Sequence, residues 1–320
     1  MNKNILAQAV QKAAKPKFRG RKYLKSKVAA HYPENMEREY ARITNAYMTL
    51  LNKTLAEYLP KIRKAIDLKR ASLRLDADAD NSNDSFDEIV NLEAYVAEIF
   101  MRIRKEFEEE AIKYGLQDRL DKLGKQVLAT TLQQWKRTVN RTLGINILED
   151  YYKGEFYRYN LRLWTEQNVA KITSMPYQTM HSMRRIILDG YLGGKTNTTI
   201  GMEIQKAYGT TRQQARFIAR DQVAKLNADI TEEQQRDAGV KSFIWSSSAD
   251  ERVRDCHNDF DGKKYDWDDL PEDYYYTKHG RVYTNHYYAP GKAPNCRCVA
   301  LAVFDIEGLV LPWEGASKDG

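Results

Sequence analysis

The chain has 320 residues, of which 42% are hydrophobic and 30% charged, with a net charge of +7. That is room for one large or two to three small domains, and the charge content points to long solvated helices rather than one apolar ball. No apolar run approaches the ~20 residues of a membrane span. The opening MNKNILAQAV lacks a signal-peptide pattern, and three cysteines argue against a disulfide framework. The expectation is a soluble chain made in the cytoplasm.

Residues 1–27 hold nine Lys/Arg and no Asp/Glu, so the remainder carries −2, whereas 250–273 holds ten acidic against four basic residues. Segment 1–33 therefore reads as a basic arm, broken by Pro16 and Gly20. Two readings are open for it. It is a solvated tail, or Lys12, Lys15, Lys17, Arg19, Arg21, Lys22, Lys25 and Lys27 bind DNA phosphates without sequence preference.

From Asn35, apolar residues recur at helical spacing through Met36, Tyr40, Ile43, Tyr47 and Leu55, and Pro60 is expected to open a new, basic helix. The polar run at 76–85 (DADADNSNDS) reads as a loop. Helical periodicity resumes from Ile89 to Phe107, is capped at Gly115, and continues from Leu116 to Val139, which predicts an antiparallel helical hairpin. Residues 148–172 form an aromatic-rich helix, whose stripe is either core or a partner surface. Pro176 is expected to end it, with a further helix to Leu192. A short helix from Thr198 or Thr199 to Tyr208 follows, then a long one capped by Thr210 or Thr211 and ending at Gly239.

The pattern then changes. VKSFIWS (240–246) and CVALAVF (298–304) read as strands, with an acidic, aromatic loop between them and a frayed tail at 308–320. The predicted fold class is mainly α: a long helical region over 34–192, then a small α+β domain over 193–307.

Chemically rich residues concentrate at 245–298. The long helix carries Ala219-Arg220-Asp221 and Asn227, with Arg220 and Asn227 on one face. Trp245 ends a strand and leads to Asp250, Arg252, Cys256-His257 and the turn Asp261-Gly262, then to Asn295-Cys296-Arg297-Cys298. In this order, these residues resemble the signature of the phage Mu F-like head-morphogenesis proteins. Their pattern is Ala-Arg-Thr with a downstream Asn, a strand Trp, Asp-x-Arg-x-x-x-x-His, Asp-Gly and Asn-Cys-Arg-Cys. The resemblance covers roughly 185–305. Asp221 stands where the family usually has Thr, and Arg254 where a Cys-rich branch has its first Cys.

The resemblance implies a structural minor capsid protein without catalysis, resident in the virion at the capsid interior or portal vertex. It would act in head assembly and DNA packaging or ejection. Implied partners are the portal protein and phage double-stranded DNA, with major capsid or scaffolding protein as further candidates and no membrane. Independently, His257, Cys296 and Cys298 have the chemistry of zinc ligands, with His279, His286 or an Asp as candidates for a fourth corner. The rival reading for Cys296 and Cys298 is small core residues. A metal-dependent nuclease is the alternative function, with His257, His279 or His286 as base, Asp250 on Mg²⁺ and Arg252 on phosphate.

Overall fold

The computed structural model describes residues 3–78, 92–250 and 253–313. Helices are α1 (Lys3–Phe18), α2 (Glu34–Asp78), α3 (Leu92–Tyr114), α4 (Leu116–Leu143), α5 (Glu155–Leu192), α6 (Asn197–Asp237) and the short α7 (Asp255–Phe260). Strands are β1 (Tyr23–Lys25), β2 (Ser242–Ser246), β3 (Lys264–Asp266), β4 (Glu272–Thr277), β5 (Gly280–Tyr287) and β6 (Val299–Asp305). The fold is mainly α with a small sheet region towards the end of the chain. No helix among the described residues is long and apolar enough to cross a membrane.

The chain divides into two compact units. The first takes Met1–Tyr40, Asp121–Thr165 and Phe217–Gly320, and the second Ala41–Leu120 and Glu166–Arg216. The second is all helical, and aromatic rings fill it. Tyr47 meets Phe107 edge-on at 5.5 Å, and Phe107 meets Tyr177 at 6.2 Å. Two of its tyrosines are tied locally: the Tyr114 hydroxyl donates to the Ile43 carbonyl at 2.9 Å, and the Tyr177 hydroxyl to Glu108 at 2.8 Å.

The first unit is built on an antiparallel sheet in the order β1-β6-β2-β3. Val299 to Phe304 is almost wholly buried, as its apolar run requires. Trp135 of α4 stacks on Phe304 at 5.9 Å, and Gln235 of α6 donates to the Ala300 carbonyl at 2.9 Å. Gly239 turns α6 into β2 at φ +75, and a Cβ there would overlap the Gly308 carbonyl oxygen. Only glycine meets both demands.

Several boundaries differ from those expected of the sequence. Pro16, Pro60 and Pro176 lie inside α1, α2 and α5 rather than at helix ends. A mid-helix proline costs about 3 kcal/mol or more. Buried residues on both sides offset this: Leu55, Tyr58, Ile62 and Ile66 around Pro60, and Ile172, Met175, Met180 and Met183 around Pro176. α6 is continuous, because the Thr211 hydroxyl returns to the Ala207 carbonyl at 3.1 Å instead of capping a new helix.

Segment 1–33 is not a free arm over its described residues. Val10, Ala14 and Phe18 of α1 are buried, and β1 pairs with β6. Leu309 and Leu311 are buried too, and Trp313 bridges to Ile147, so 308–313 is packed rather than frayed. The expected 76–85 loop falls on the end of α2 and then outside the described residues.

Candidate functional site

The site lies within the first unit, between β2, α7, β4 and the loop entering β6. Trp245, on β2, is fully buried. Two hydrogen bonds fold the following segment back over it: Gly262 N–H to the Trp245 carbonyl at 2.8 Å, and Trp245 N–H to the Lys263 carbonyl at 2.9 Å. Gly262 adopts φ +72, and the preceding Asp261 accepts the Ser247 N–H at 2.7 Å. The Asp-Gly pair thus sets the turn that lays α7 on the sheet. On α7, Cys256, His257 and Phe260 are buried, and the His257 ring lies 5.0 Å from that of Trp245.

The loop before β6 is pinned from three sides. Asn295 takes a left-handed conformation (φ +57), which Asn tolerates better than most residues, and its N–H donates to Asp221 at 3.1 Å. Asp221 also meets Lys225 at 2.8 Å, so this carboxylate ties α6 to the loop. Arg254 donates to the Pro294 carbonyl at 2.9 Å. Arg297 pairs with Asp250. Arg252 lies outside the described residues.

Those restraints bring Cys296 and Cys298 to His257. The two sulfurs stand 3.5 and 3.7 Å from the same imidazole nitrogen, Nδ1. The other nitrogen, Nε2, stands 3.3 Å from Asp273 of β4. Relative exposures are 1% for His257, 5% for Cys296, 4% for Cys298 and 6% for Asp273, so the cluster is inside the protein. Burial works against a charged His257, but its hydrogen bonds to Asp273 and Cys296 outweigh it and push its pKa up to about 9. The hydrogen bond with Cys298 is the chief cause that brings Cys296 down to about 4; burial opposes it, and His257 assists. The hydrogen bond with Cys296, and then burial, push Cys298 up.

The remaining motif residues are structural partners in the same unit. Arg220 meets Glu37 at 3.3 Å, and the buried Asn227 accepts from Thr131 at 3.0 Å. His279 and His286 are exposed on the β4–β5 hairpin, apart from the cluster. Asp273 was not singled out in the sequence, being one of ten acids in 250–273. The hairpin was read as loop; its signal was the Tyr-rich β-prone run on either side of Lys278-His279-Gly280.

Residues 181–301 match the family described as Phage Mu protein F like protein. This part of the chain is Mu F-like. The matched span contains all of the site and ends three residues into the buried β6 strand. An uncharacterized protein of Haemophilus influenzae is 34% identical over 141 residues, covering 44% of this chain. The match spans 29% of that relative's length. No solved structure matches.

Proposed function

We propose that this chain is a structural minor capsid protein of a phage head, acting in head assembly and in DNA packaging or ejection. The observation that carries this reading is the Mu F-like match over 181–301, whose motif residues serve as internal hydrogen-bond and ion-pair partners. Such a pattern suits a fold-holding module. A catalytic site needs groups that substrate can reach, and His257 is 1% exposed. The nuclease alternative is the weaker reading: of its candidate bases His257 is interior, and among the described residues neither His279 nor His286 joins a group that could hold a metal.

The proposed partner is the portal protein, with the virion interior or portal vertex as location. Support comes from exposed large residues on α5, Phe156, Tyr159 and Leu163, which are of the kind that anchors protein interfaces. Phage double-stranded DNA is the second proposed partner, met by the cations of segment 1–27. Co-expression with the portal protein of the same phage, followed by size-exclusion chromatography at low and high salt, tests the principal claim. Co-elution is expected. Separate elution at both salt concentrations overturns it.

A further inference from the structure

We propose that His257, Cys296 and Cys298 are the protein ligands of a structural zinc ion, with Asp273 as the group that orients the histidine. Four observations carry this, none of which depends on the family match.

The first is valence at Nδ1. In the neutral imidazole that a metal takes, the Nε2 proton goes to Asp273 and Nδ1 offers a single lone pair. One thiol can satisfy that lone pair, yet two sulfurs stand at 3.5 and 3.7 Å from it. A cation in the triangle formed by the three atoms satisfies all of them at once, the sulfurs as thiolates and the imidazole as a neutral donor.

The second is edge length. Zn–S bonds of about 2.3 Å and Zn–N bonds of about 2.0–2.1 Å at tetrahedral angles put sulfur and nitrogen about 3.5–3.6 Å apart. The two observed separations bracket that value closely. All three ligand atoms lie within 4.8 Å of one another, wide enough for the slightly longer sulfur–sulfur edge.

The third is the surrounding shell. A carboxylate on the far nitrogen of a metal-bound histidine fixes the tautomer and strengthens the donor. Asp273 occupies that place at 3.3 Å from Nε2. The Cys298 backbone N–H donates to the Cys296 sulfur at 3.4 Å, which stabilises an anionic sulfur.

The fourth is topology. His257 is on α7 and the cysteines lie 39 and 41 residues later at the entry to β6. An ion there closes the whole excursion of chain between the two strands. Cys256 belongs to a different group, with His257 and Asp273, and is wholly buried, as fits a core residue.

The same three side chains, Cys296, His257 and Asp273, also have the order of a cysteine nucleophile, base and orienting acid. Two features favour the metal over this. Cys298 duplicates the contact to Nδ1 without a role in a triad, and none of the three groups is more than 6% exposed.

The test uses the full chain, expressed in zinc-supplemented medium and purified without chelator. Elemental analysis should find about one zinc per chain. After stripping and reconstitution with cobalt(II), a thiolate-to-metal charge-transfer band and tetrahedral ligand-field bands should appear. Cys298→Ser should abolish the charge-transfer intensity of one thiolate and release the metal to a weaker chelator. Cys256→Ala should retain it. Asp273→Asn should weaken zinc affinity about 10–100-fold without removing a ligand. Should Cys298→Ser not fold, the unsubstituted chain decides alone: bound zinc should shield Cys296 and Cys298 from alkylation, and chelation should expose them. A chain that neither retains zinc nor gives a cobalt–thiolate band overturns the assignment. So does rapid alkylation of Cys296 in the chain as purified, which would favour the nucleophile.

Discussion

The short helix α7 presents two faces, and they meet very different surroundings. His257 turns inward, to a carboxylate and two sulfurs that are all buried. Two residues on, Asp259 turns to the β4–β5 hairpin. There it accepts from the hydroxyls of Tyr274 and Tyr276, the latter at 2.7 Å, and meets Arg281 at 3.4 Å. Both faces are polar networks of an acid, a base and their donors. Inside, an orphaned donor or acceptor has no water to turn to and costs about 1–3 kcal/mol or more. On the hairpin, water replaces any lost partner, and exposed ion pairs contribute about 0–1 kcal/mol. Residue type is shared by the two networks; burial decides which one the fold depends on.

That contrast is open to direct attack. The largest effect should come from the wall of the inner network. Trp245→Ala removes a fully buried indole that touches His257 at 5.0 Å and Phe260 at 5.1 Å. Truncations of this kind cost about 3–5 kcal/mol. The thermal midpoint of the full chain should fall markedly, or the protein should become insoluble. Tyr275→Ala on the hairpin, where the ring is 53% exposed, should stay within about 0.5 kcal/mol of the parent. Equal midpoints for the two variants would mean that the interior network is not what holds this unit.

A second comparison sharpens the first with ion pairs alone. Arg297 and Asp250 have side chains 15% and 35% exposed, whereas Lys22 and Glu307 are 51% and 73% exposed. Asp250→Asn leaves a half-buried guanidinium short of its counter-charge and should cost about 1–3 kcal/mol. Glu307→Gln should cost under about 1 kcal/mol, and that little should vanish in high salt. Chemical denaturation at two ionic strengths measures both. An Asp250→Asn loss as small and as salt-sensitive as that of Glu307→Gln would place the Arg297 pair among the ordinary surface ones.

How much of this was legible in the sequence follows the same division. His257, Cys296 and Cys298 stood out because few side chains share their donor chemistry, and the motif order placed them in one domain. Asp273 did not, because carboxylates are abundant in 250–273 and only burial separates this one from its neighbours. Asp250 was visible as a motif residue, but its pairing with Arg297 was not. A pairing across 47 residues leaves no local trace. Helix periodicity was readable throughout. The prolines misled, since the local rule that proline ends a helix yields to tertiary packing on either side of Pro60 and Pro176. The run of cations near the start hid buried positions at Val10, Ala14 and Phe18, whose spacing of four is itself helical.

That last point determines how DNA binding should be tested, and it carries the smallest expected effect on the fold. The eight cations Lys12, Lys15, Lys17, Arg19, Arg21, Lys22, Lys25 and Lys27 are all exposed. They are displayed on α1, the turn after it, β1 and the residues just beyond, so deleting the segment would also strip β1 from β6 and remove Val10, Ala14, Phe18 and Leu24 from the core. A lost DNA complex would then report damage as readily as lost charge. Neutralisation is the cleaner experiment. Lys12, Lys15, Arg19 and Arg21 make no ion pair among the described residues, and changing all four to Gln leaves the buried positions in place. Stability should move by less than about 0.5 kcal/mol per site. If the segment engages about six phosphates, the parent should show a log–log salt slope of about −5 on duplex DNA. Removing up to four of those contacts should flatten the slope by up to about 3.6, at every sequence tested alike. Fluorescence anisotropy over a salt series gives both slopes. An unchanged slope in a variant that melts with the parent would show that these cations solvate the protein and do not hold DNA.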